Sequence, residues 1–300
     1  MLAAPLRPAK IPPHPGRPTA CPLWNLIKPT PVPTHSLQKQ ALAGYNARWM
    51  VDPSDYRLYR SQTAVMAAIR QAVANGYRYY LVATTPEEKA LAAVAKIHER
   101  HRVLLSPEAQ RARKEAGLPT ARLFLGPEPR GGLWPYALLA TKRLEGEAMA
   151  SVEGKRPLRW VAWRKEAWLP TYELRRDPDT GRLTWFLVEE FYRELLEEAL
   201  HHAQKGDWPK LVGHLRTLPH LPLFGGVFRQ IAEIRKRVQK AWGDQHLRSP
   251  EGQWQSPPWK KSLADWPKRP LSSAIYLYVD PEVDGDRPRT LGEWFERRKG

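Results

Sequence analysis

The fold class is decided by residues 158–188, which read LRWVAWRKEAWLPTYELRRDPDTGRLTWFLV. Aromatic and β-branched residues alternate with polar ones here, which is typical of strands. Asp177-Pro178-Asp179-Thr180-Gly181 separates two such runs and has the composition of a hairpin loop. The pattern predicts an antiparallel meander whose strands cover 121–126, 134–141, 158–164, 171–176 and 182–188.

Helical patterns lie on both sides of this meander. Before it, Asp52-Pro53 and Thr85-Pro86 each join a capping residue to a first-turn proline, as helix starts do. The sequence predicts helices over 53–75, 86–101, 106–117, 188–204, 207–218 and 224–242, a short C-terminal helix, and strands over 77–84 and 274–279. We therefore expect an α+β fold with an antiparallel sheet packed by helices, and a ferredoxin-like or RNA-recognition-like core fits this order.

Composition divides the chain into three parts. Residues 1–44 hold ten of the 30 prolines, and no acidic residue occurs before Asp52. Such a segment buries too little apolar surface to offset the entropy of ordering it, which predicts a flexible Pro-rich basic arm. An inert tail or a mis-assigned start would have the same composition. We expect an α+β core over 45–188, and a helical part with a Pro/Trp-rich loop over 189–300.

Charge and aromatic content favour nucleic acid as the partner. The formal net charge is +17, and many of the 13 tryptophans lie close to Arg or Lys. Cations neutralise phosphates, and flat rings stack on exposed bases. The lone Cys21 excludes an internal disulfide and a Cys-based zinc site. Since no stretch is apolar enough for a membrane span, we expect a cytoplasmic protein. We expect no cofactor, because the sequence has no glycine loop followed by Lys-Ser/Thr that would bind the phosphates of ATP.

The third run of the meander and the turn after it form the first candidate contact surface. Alternation puts Trp160 on the face that points to the core, with Arg159 and Trp163 on the opposite face. Arg164 and Lys165 follow directly. We expect Arg159, Trp163, Arg164 and Lys165 to contact nucleic acid, and an ordinary solvated edge is the alternative.

The densest mixture of indoles and cations lies in a loop between Pro250 and Pro270. Its prolines prevent a regular helix or strand, so the indoles either stack on bases or anchor the loop in the core. The candidate contacts in this loop are Trp254, Trp259, Lys260, Lys261, Trp266, Lys268 and Arg269.

The segment Asn75-Gly76-Tyr77-Arg78-Tyr79-Tyr80 is similar to the RNA-recognition strand, in which alternating aromatic residues stack bases. Tyr77, Arg78 and Tyr79 are its candidate contacts. Packing beneath a helix is the alternative for both rings.

Helices 207–218 and 224–242 predict a helix-turn-helix arrangement with a bend longer than the usual turn. Its second helix would enter the major groove through a basic face, and a solvated helix surface is the alternative. The candidate contacts on this helix are Arg229, Arg235, Lys236 and Lys240.

Signals of catalysis are weak. No Asp occurs between Asp55 and Asp177, so Glu153-Gly154-Lys155 lacks the partner carboxylate of a metal-dependent nuclease. His98-Glu99-Arg100-His101 has a different spacing from a zinc protease helix. We expect a protein that holds no metal and has no catalysis of its own.

A resemblance to uncharacterised proteins of plasmids and integrative conjugative elements of GC-rich bacteria is carried by two stretches, YELRRDPDTGRLTWFLVEEFY (172–192) and LPHLPLFGGVFRQI (218–231). It covers a minor part of the chain and transfers no functional residue. The resemblance implies a mobile-element setting.

These features predict a non-catalytic protein of a mobile element that binds single-stranded or structured DNA or RNA. Two alternatives stay open. One is a phosphodiester-processing enzyme, either a metal-independent RNA endonuclease that uses His or a nicking protein that uses Tyr. The other is an interaction subunit that docks its tryptophans on another protein of a larger complex.

Overall fold

Two antiparallel sheets form the centre of the computed structural model, which describes residues 51–246, 266–271 and 276–299. The first sheet is built from β1 (Tyr79–Pro86), β2 (Ala121–Leu125), β3 (Leu133–Ala140) and β4 (Ala150–Ser151). Its strand order is β2-β3-β1-β4, with β3 inserted between β1 and β2. This is a split β-α-β unit. Unlike in a ferredoxin-like fold, β4 follows β3 without an intervening helix.

The second sheet is the meander that residues 158–188 predict. β5 (Leu158–Arg164), β6 (Ala167–Arg176) and β7 (Leu183–Leu187) pair in chain order. β6 begins earlier than expected because Lys165 and Glu166, with φ of 49° and 59°, form a tight two-residue turn. The runs 121–126 and 134–141 do not belong to this meander, contrary to expectation, because β3 pairs with β1 and β2.

The first predicted helix starts later than expected. Asp52 caps a 3-10 turn over Pro53–Asp55, so the Asp-Pro pair marks the start of this turn and not the start of the helix. The chain then runs extended and bridges to the C-terminal part, with Tyr59 opposite Tyr278. α1 (Gln62–Ala74) begins only after this stretch, where the Ser61 hydroxyl accepts a hydrogen bond from the amide of Ala64.

The remaining helices follow the predicted order, except that a short helix over Pro281–Asp284 was not predicted. Glu87–Lys89 and Leu218–His220 are 3-10 turns, so the helix predicted to begin at 86 starts at 90. Within the described residues, the strand predicted over 274–279 is reduced to a bridge at Tyr278. The helices are α2 (Ala90–His101), α3 (Pro107–Glu115), α4 (Glu189–Gln204), α5 (Trp208–Thr217), α6 (Gly225–His246), α7 (Pro281–Asp284) and α8 (Leu291–Lys299).

A shared hydrophobic core joins the two sheets through α1. Trp160 is fully buried, as predicted, together with Trp134 and Trp185. The Trp185 indole donates a hydrogen bond of 2.8 Å to the carbonyl of Met66 on α1. The fold class is α+β, as expected. Residues 1–44 lie outside the described residues, and the three-part organisation stays a prediction.

Candidate nucleic-acid interface

The two predicted cations near the β5–β6 turn are paired with a carboxylate of α4. Glu194 binds Arg164 Nη2 at 2.5 Å and Lys165 Nζ at 2.8 Å. Hydrogen bonds from Lys165 and then Arg164 lower the pKa of Glu194. The Arg164 guanidinium also lies 3.5 Å from the ring centroid of Phe191. These charges therefore stabilise the packing of α4 on the sheet.

The other two predicted residues of β5 differ from each other. The Arg159 guanidinium lies 3.9 Å from the carboxylates of both Glu173 and Glu190, at the outer limit of an ion pair. Trp163 is partly exposed and packs edge-to-face against Trp168, with ring centroids 5.6 Å apart. Trp163 thus keeps part of its ring at the surface.

The basic face predicted for the second helix of a helix-turn-helix lies on α6, and its cations differ in their environment. Arg229 Nη2 lies 2.5 Å from Asp177, and Arg229 Nη1 also binds Asp179, so this side chain is held on the hairpin loop 177–181. Lys236 and Lys240 are exposed. α6 packs against α4 and β7. Arg229 therefore stabilises the packing of α6 against the second sheet.

The two tyrosines predicted to stack bases lie in different environments. Tyr77 precedes β1 and is buried, its hydroxyl 3.2 Å from Gln110 Oε1 and its ring centroid 5.5 Å from the Arg122 guanidinium. Tyr79 is half-buried at the start of β1, whereas Arg78 is exposed. The alternative of packing beneath a helix holds for Tyr77, since Gln110 belongs to α3.

The Pro/Trp-rich loop is described in part. Trp266 is 8% exposed, and the Arg235 guanidinium of α6 lies 5.2 Å from its ring centroid. Of the two alternatives for the indoles of this segment, packing in the core therefore holds for Trp266. Lys268 and Arg269 are exposed. The candidates outside the described residues are Trp254, Trp259, Lys260 and Lys261.

An arginine-lined cleft of about 920 Å³ lies where the two sheets meet at the C-terminal end of α1. One wall is formed by α1 and by the chain that leads into β1. The other wall is formed by the end of β6, the start of β7 and residues 152–157. We call this the arginine cleft and define it by its cations: Arg70, Arg78, Arg175, Arg176 and Arg182.

Two carboxylates in the arginine cleft neutralise two of its five cations. Glu153 lies 3.4 Å from Arg78, and Glu173 lies 3.2 Å from Arg175. Glu173 is itself half-buried. The cleft therefore retains an excess of positive charge.

Three arginines of the cleft lack an acidic partner. Within the described part of the chain, no carboxylate oxygen lies within 4.0 Å of the guanidinium nitrogens of Arg70, Arg176 or Arg182. Arg176 donates a hydrogen bond to the carbonyl of Gly181, and Arg70 lies 5.4 Å from the ring centroid of Phe224. Neither neighbour carries a negative charge.

Arg70 is the most informative of the three because it is half-buried. Burial lowers its pKa, yet a guanidinium stays charged at neutral pH. A cation that is partly removed from water without a counter-charge is destabilising by itself. An anion bound in the cleft would relieve that cost, and a phosphate group offers oxygens that arginine matches with paired hydrogen bonds.

Sequence reasoning identified Arg78 and missed the other cleft arginines. The signal in the sequence was the pattern Arg175-Arg176 before, and Arg182 after, the hairpin loop. A hairpin brings such flanking residues together. Arg70 gave no comparable signal, because it reaches the cleft only through the packing of α1 against β7.

Three tyrosines and one histidine that could take part in catalysis are buried: Tyr56, Tyr59, Tyr172 and His98. Burial raises the pKa of Tyr56, Tyr59 and Tyr172, which disfavours the phenolate that a tyrosine nucleophile needs. His98 Nδ1 accepts a hydrogen bond from the amide of Leu104. Within residues 51–246, 266–271 and 276–299, no group of three or more His, Cys, Asp or Glu side chains could hold a metal ion.

Comparisons with protein-family models, curated proteins and solved structures gave no match. No helix among the described residues is long and apolar enough to cross a membrane. Any functional assignment therefore depends on the chemistry of the surface.

Proposed function

We propose that the protein binds nucleic acid, single-stranded or structured, without catalysis of its own, and that the arginine cleft holds backbone phosphates. The observation that carries the proposal is the presence of three arginines without a carboxylate partner among the described residues in one cleft. We place this activity in a bacterial mobile element because of the sequence resemblance, and in the cytoplasm because the sequence contains a single cysteine and no stretch apolar enough for a membrane span.

The size and charge of the cleft favour a polyanion over a single small anion. A volume of about 920 Å³ exceeds what one phosphate fills. Lys155 and Arg156 extend the positive surface along the neighbouring depression, and both are exposed. A chain of phosphates can contact all of these cations at once and release the counterions condensed on it.

The test compares two variants that lose the same charge. The cleft variant carries Arg70→Gln, Arg176→Gln and Arg182→Gln. The control carries Arg193→Gln, Arg237→Gln and Arg289→Gln, each of which removes an exposed arginine paired with a glutamate one turn away. Affinity for labelled oligonucleotides is measured by fluorescence anisotropy, and folding is checked by thermal unfolding.

We expect the cleft variant to bind much more weakly than the control, with DNA and RNA strands tested in parallel. Equal affinities of the two variants would contradict the proposed interface. Cleavage of the strand by the unmodified protein would favour a phosphodiester-processing enzyme. Absence of oligonucleotide binding, together with salt-insensitive association with a protein, would favour an interaction subunit.

A further inference from the structure

A pair of tryptophans marks a second feature at the far end of the second sheet. Trp163 and Trp168 lie directly opposite each other on β5 and β6, at an interplanar angle of 71°. The Trp168 indole donates a hydrogen bond of 2.9 Å to the carbonyl of Leu133. The ring of Trp163 packs so closely on Gly131 that an added Cβ would lie 2.2 Å from it. Contacts with Gly131 and Leu133 thus fix both indoles, although both stay partly exposed.

The two indoles line a pocket of about 430 Å³, which we call the tryptophan pocket. This volume lies within the range of about 300–1,000 Å³ for sites that hold small ligands. Its lining also includes three cations, Arg60, Arg130 and Arg287, and one carboxylate, Glu128. The first two are paired with Asp284 and Glu128, whereas Arg287 donates to the carbonyl of Arg60 and has no carboxylate partner among the described residues.

Strand β5 connects the tryptophan pocket to the arginine cleft. Pro157, just before β5, lines both the cleft and a neighbouring depression, and Arg159 and Val161 continue that depression along the strand. The next residues, Ala162 and Trp163, line the tryptophan pocket. At about 3.3 Å per strand residue, Pro157 and Trp163 are roughly 20 Å apart.

We propose that the tryptophan pocket takes an unpaired nucleobase of a single strand whose phosphates run along β5 into the arginine cleft. The inference rests on the proposed function and narrows its ligand class to single-stranded nucleic acid. Partly exposed indoles beside a cation suit a base and its phosphate, because stacking needs a flat ring with a free surface. In a duplex, the base would first have to leave its stack and its pairing partner.

The experiment separates stacking from phosphate binding. The probes are an oligothymidylate of about 12 nucleotides, within the known range of single-strand site sizes, and an abasic deoxyribose-phosphate strand of equal length. The variants are Trp163→Leu, Trp163→Phe and, as a matched control, Trp208→Leu on the exposed Trp208 of α5. Thermal unfolding confirms that each variant is folded.

We expect the unmodified protein to bind thymidylate more tightly than the abasic strand. Trp163→Leu should weaken thymidylate binding by about 5- to 150-fold, the effect of removing one stacked base, and leave abasic binding unchanged. Trp163→Phe should restore most of the affinity, and Trp208→Leu should change neither. A duplex of the same sequence should bind less tightly than the single strand.

Two results would overturn the pocket and leave the proposed function standing: equal binding of both strands by the unmodified protein, or equal losses for both strands in a folded Trp163→Leu variant. The first of these needs no variant, so it holds even if the replacement unfolds the protein. Failure of the proposed function looks different, because then neither strand binds.

Discussion

Arg229 and Arg182 lie close to the same hairpin loop, yet their environments are opposite. Arg229 is held by the carboxylates of Asp177 and Asp179, whereas Arg182 lines the arginine cleft without a carboxylate partner among the described residues. Both are arginines in a strongly basic chain. The difference teaches that the density of arginines in a sequence does not show which of them are paired with a carboxylate. The pairing depends on which acidic side chains the tertiary structure places beside each arginine.

The tryptophans show the same contrast. Trp160 and Trp266 lie in basic stretches and are buried, whereas Trp163 and Trp168 are partly exposed and line a pocket. An indole next to a lysine or arginine in sequence can therefore belong to the core as well as to a binding surface. Four predictions test this division between structural and accessible groups.

Replacing Trp266 should have the largest effect on stability. Trp266→Ala removes a buried indole and leaves a cavity, so we expect a loss of about 3–5 kcal/mol in the free energy of unfolding. Trp208→Ala, at a position 45% exposed, is the control and should change stability by less than about 0.5 kcal/mol. Denaturant unfolding measures both. Equal effects would show that Trp266 does not anchor the loop.

Replacing Arg164 should destabilise the protein without affecting oligonucleotide binding. Arg164→Gln removes a charged hydrogen bond to Glu194 and the packing on Phe191, for an expected cost of about 1–3 kcal/mol. Thermal unfolding and anisotropy are measured on the same sample. A loss of affinity with unchanged stability would instead place Arg164 in the interface.

The hairpin loop should make stability fall in acid. Burial would raise the pKa of Asp177, but hydrogen bonds from Arg229 and from the Asp179 and Thr180 amides outweigh it and lower the pKa from 3.8 to about 2. The stability that this carboxylate contributes is therefore present above about pH 4 and is lost as the pH falls towards 2.

The variant Asp177→Asn tests the direction of this pH dependence of stability. The variant should be less stable than the unmodified protein at neutral pH, and the difference should shrink between about pH 4 and pH 2. Denaturant unfolding over this range measures it. A difference that is constant with pH would mean that the charge of Asp177 contributes nothing.

The smallest effect is expected for an exposed pair. Arg193→Gln removes a surface ion pair with Glu189 one turn away on α4, where solvent screens the attraction. Neither the melting temperature nor oligonucleotide affinity should change measurably. A clear drop in affinity would show that binding follows total charge and not the arginine cleft.

Local sequence patterns predicted where helices and strands lie better than they predicted which strands pair with each other. The loop 177–181 and the alternation around it located β6 and β7, because a hairpin is encoded within one short stretch. The pairing of β1 with β3 joins residues far apart in the chain, such as Tyr80 and Leu139, and depends on the shared core, so the sequence did not reveal a separate first sheet. The start of α1 was misplaced because the Asp52-Pro53 signal fits a 3-10 turn equally well.

The candidate site was harder to predict for the same reason. Arg78 and Trp163 were identified from local patterns. The partners that make them relevant, Arg70 and Trp168, reach them through the packing of α1 and the β5–β6 pairing. Ion pairs such as that between Glu194 and Lys165 also depend on tertiary structure.

The salt dependence of oligonucleotide binding tests the central claim most directly. For a single strand, the slope of log affinity against log salt concentration changes by about 0.7 for each phosphate that the protein no longer neutralises. The cleft variant that replaces Arg70, Arg176 and Arg182 should therefore have a slope shallower by about 2, while the control that replaces Arg193, Arg237 and Arg289 keeps the slope of the unmodified protein. Equal slopes for all three proteins would contradict the assignment of phosphate binding to the arginine cleft.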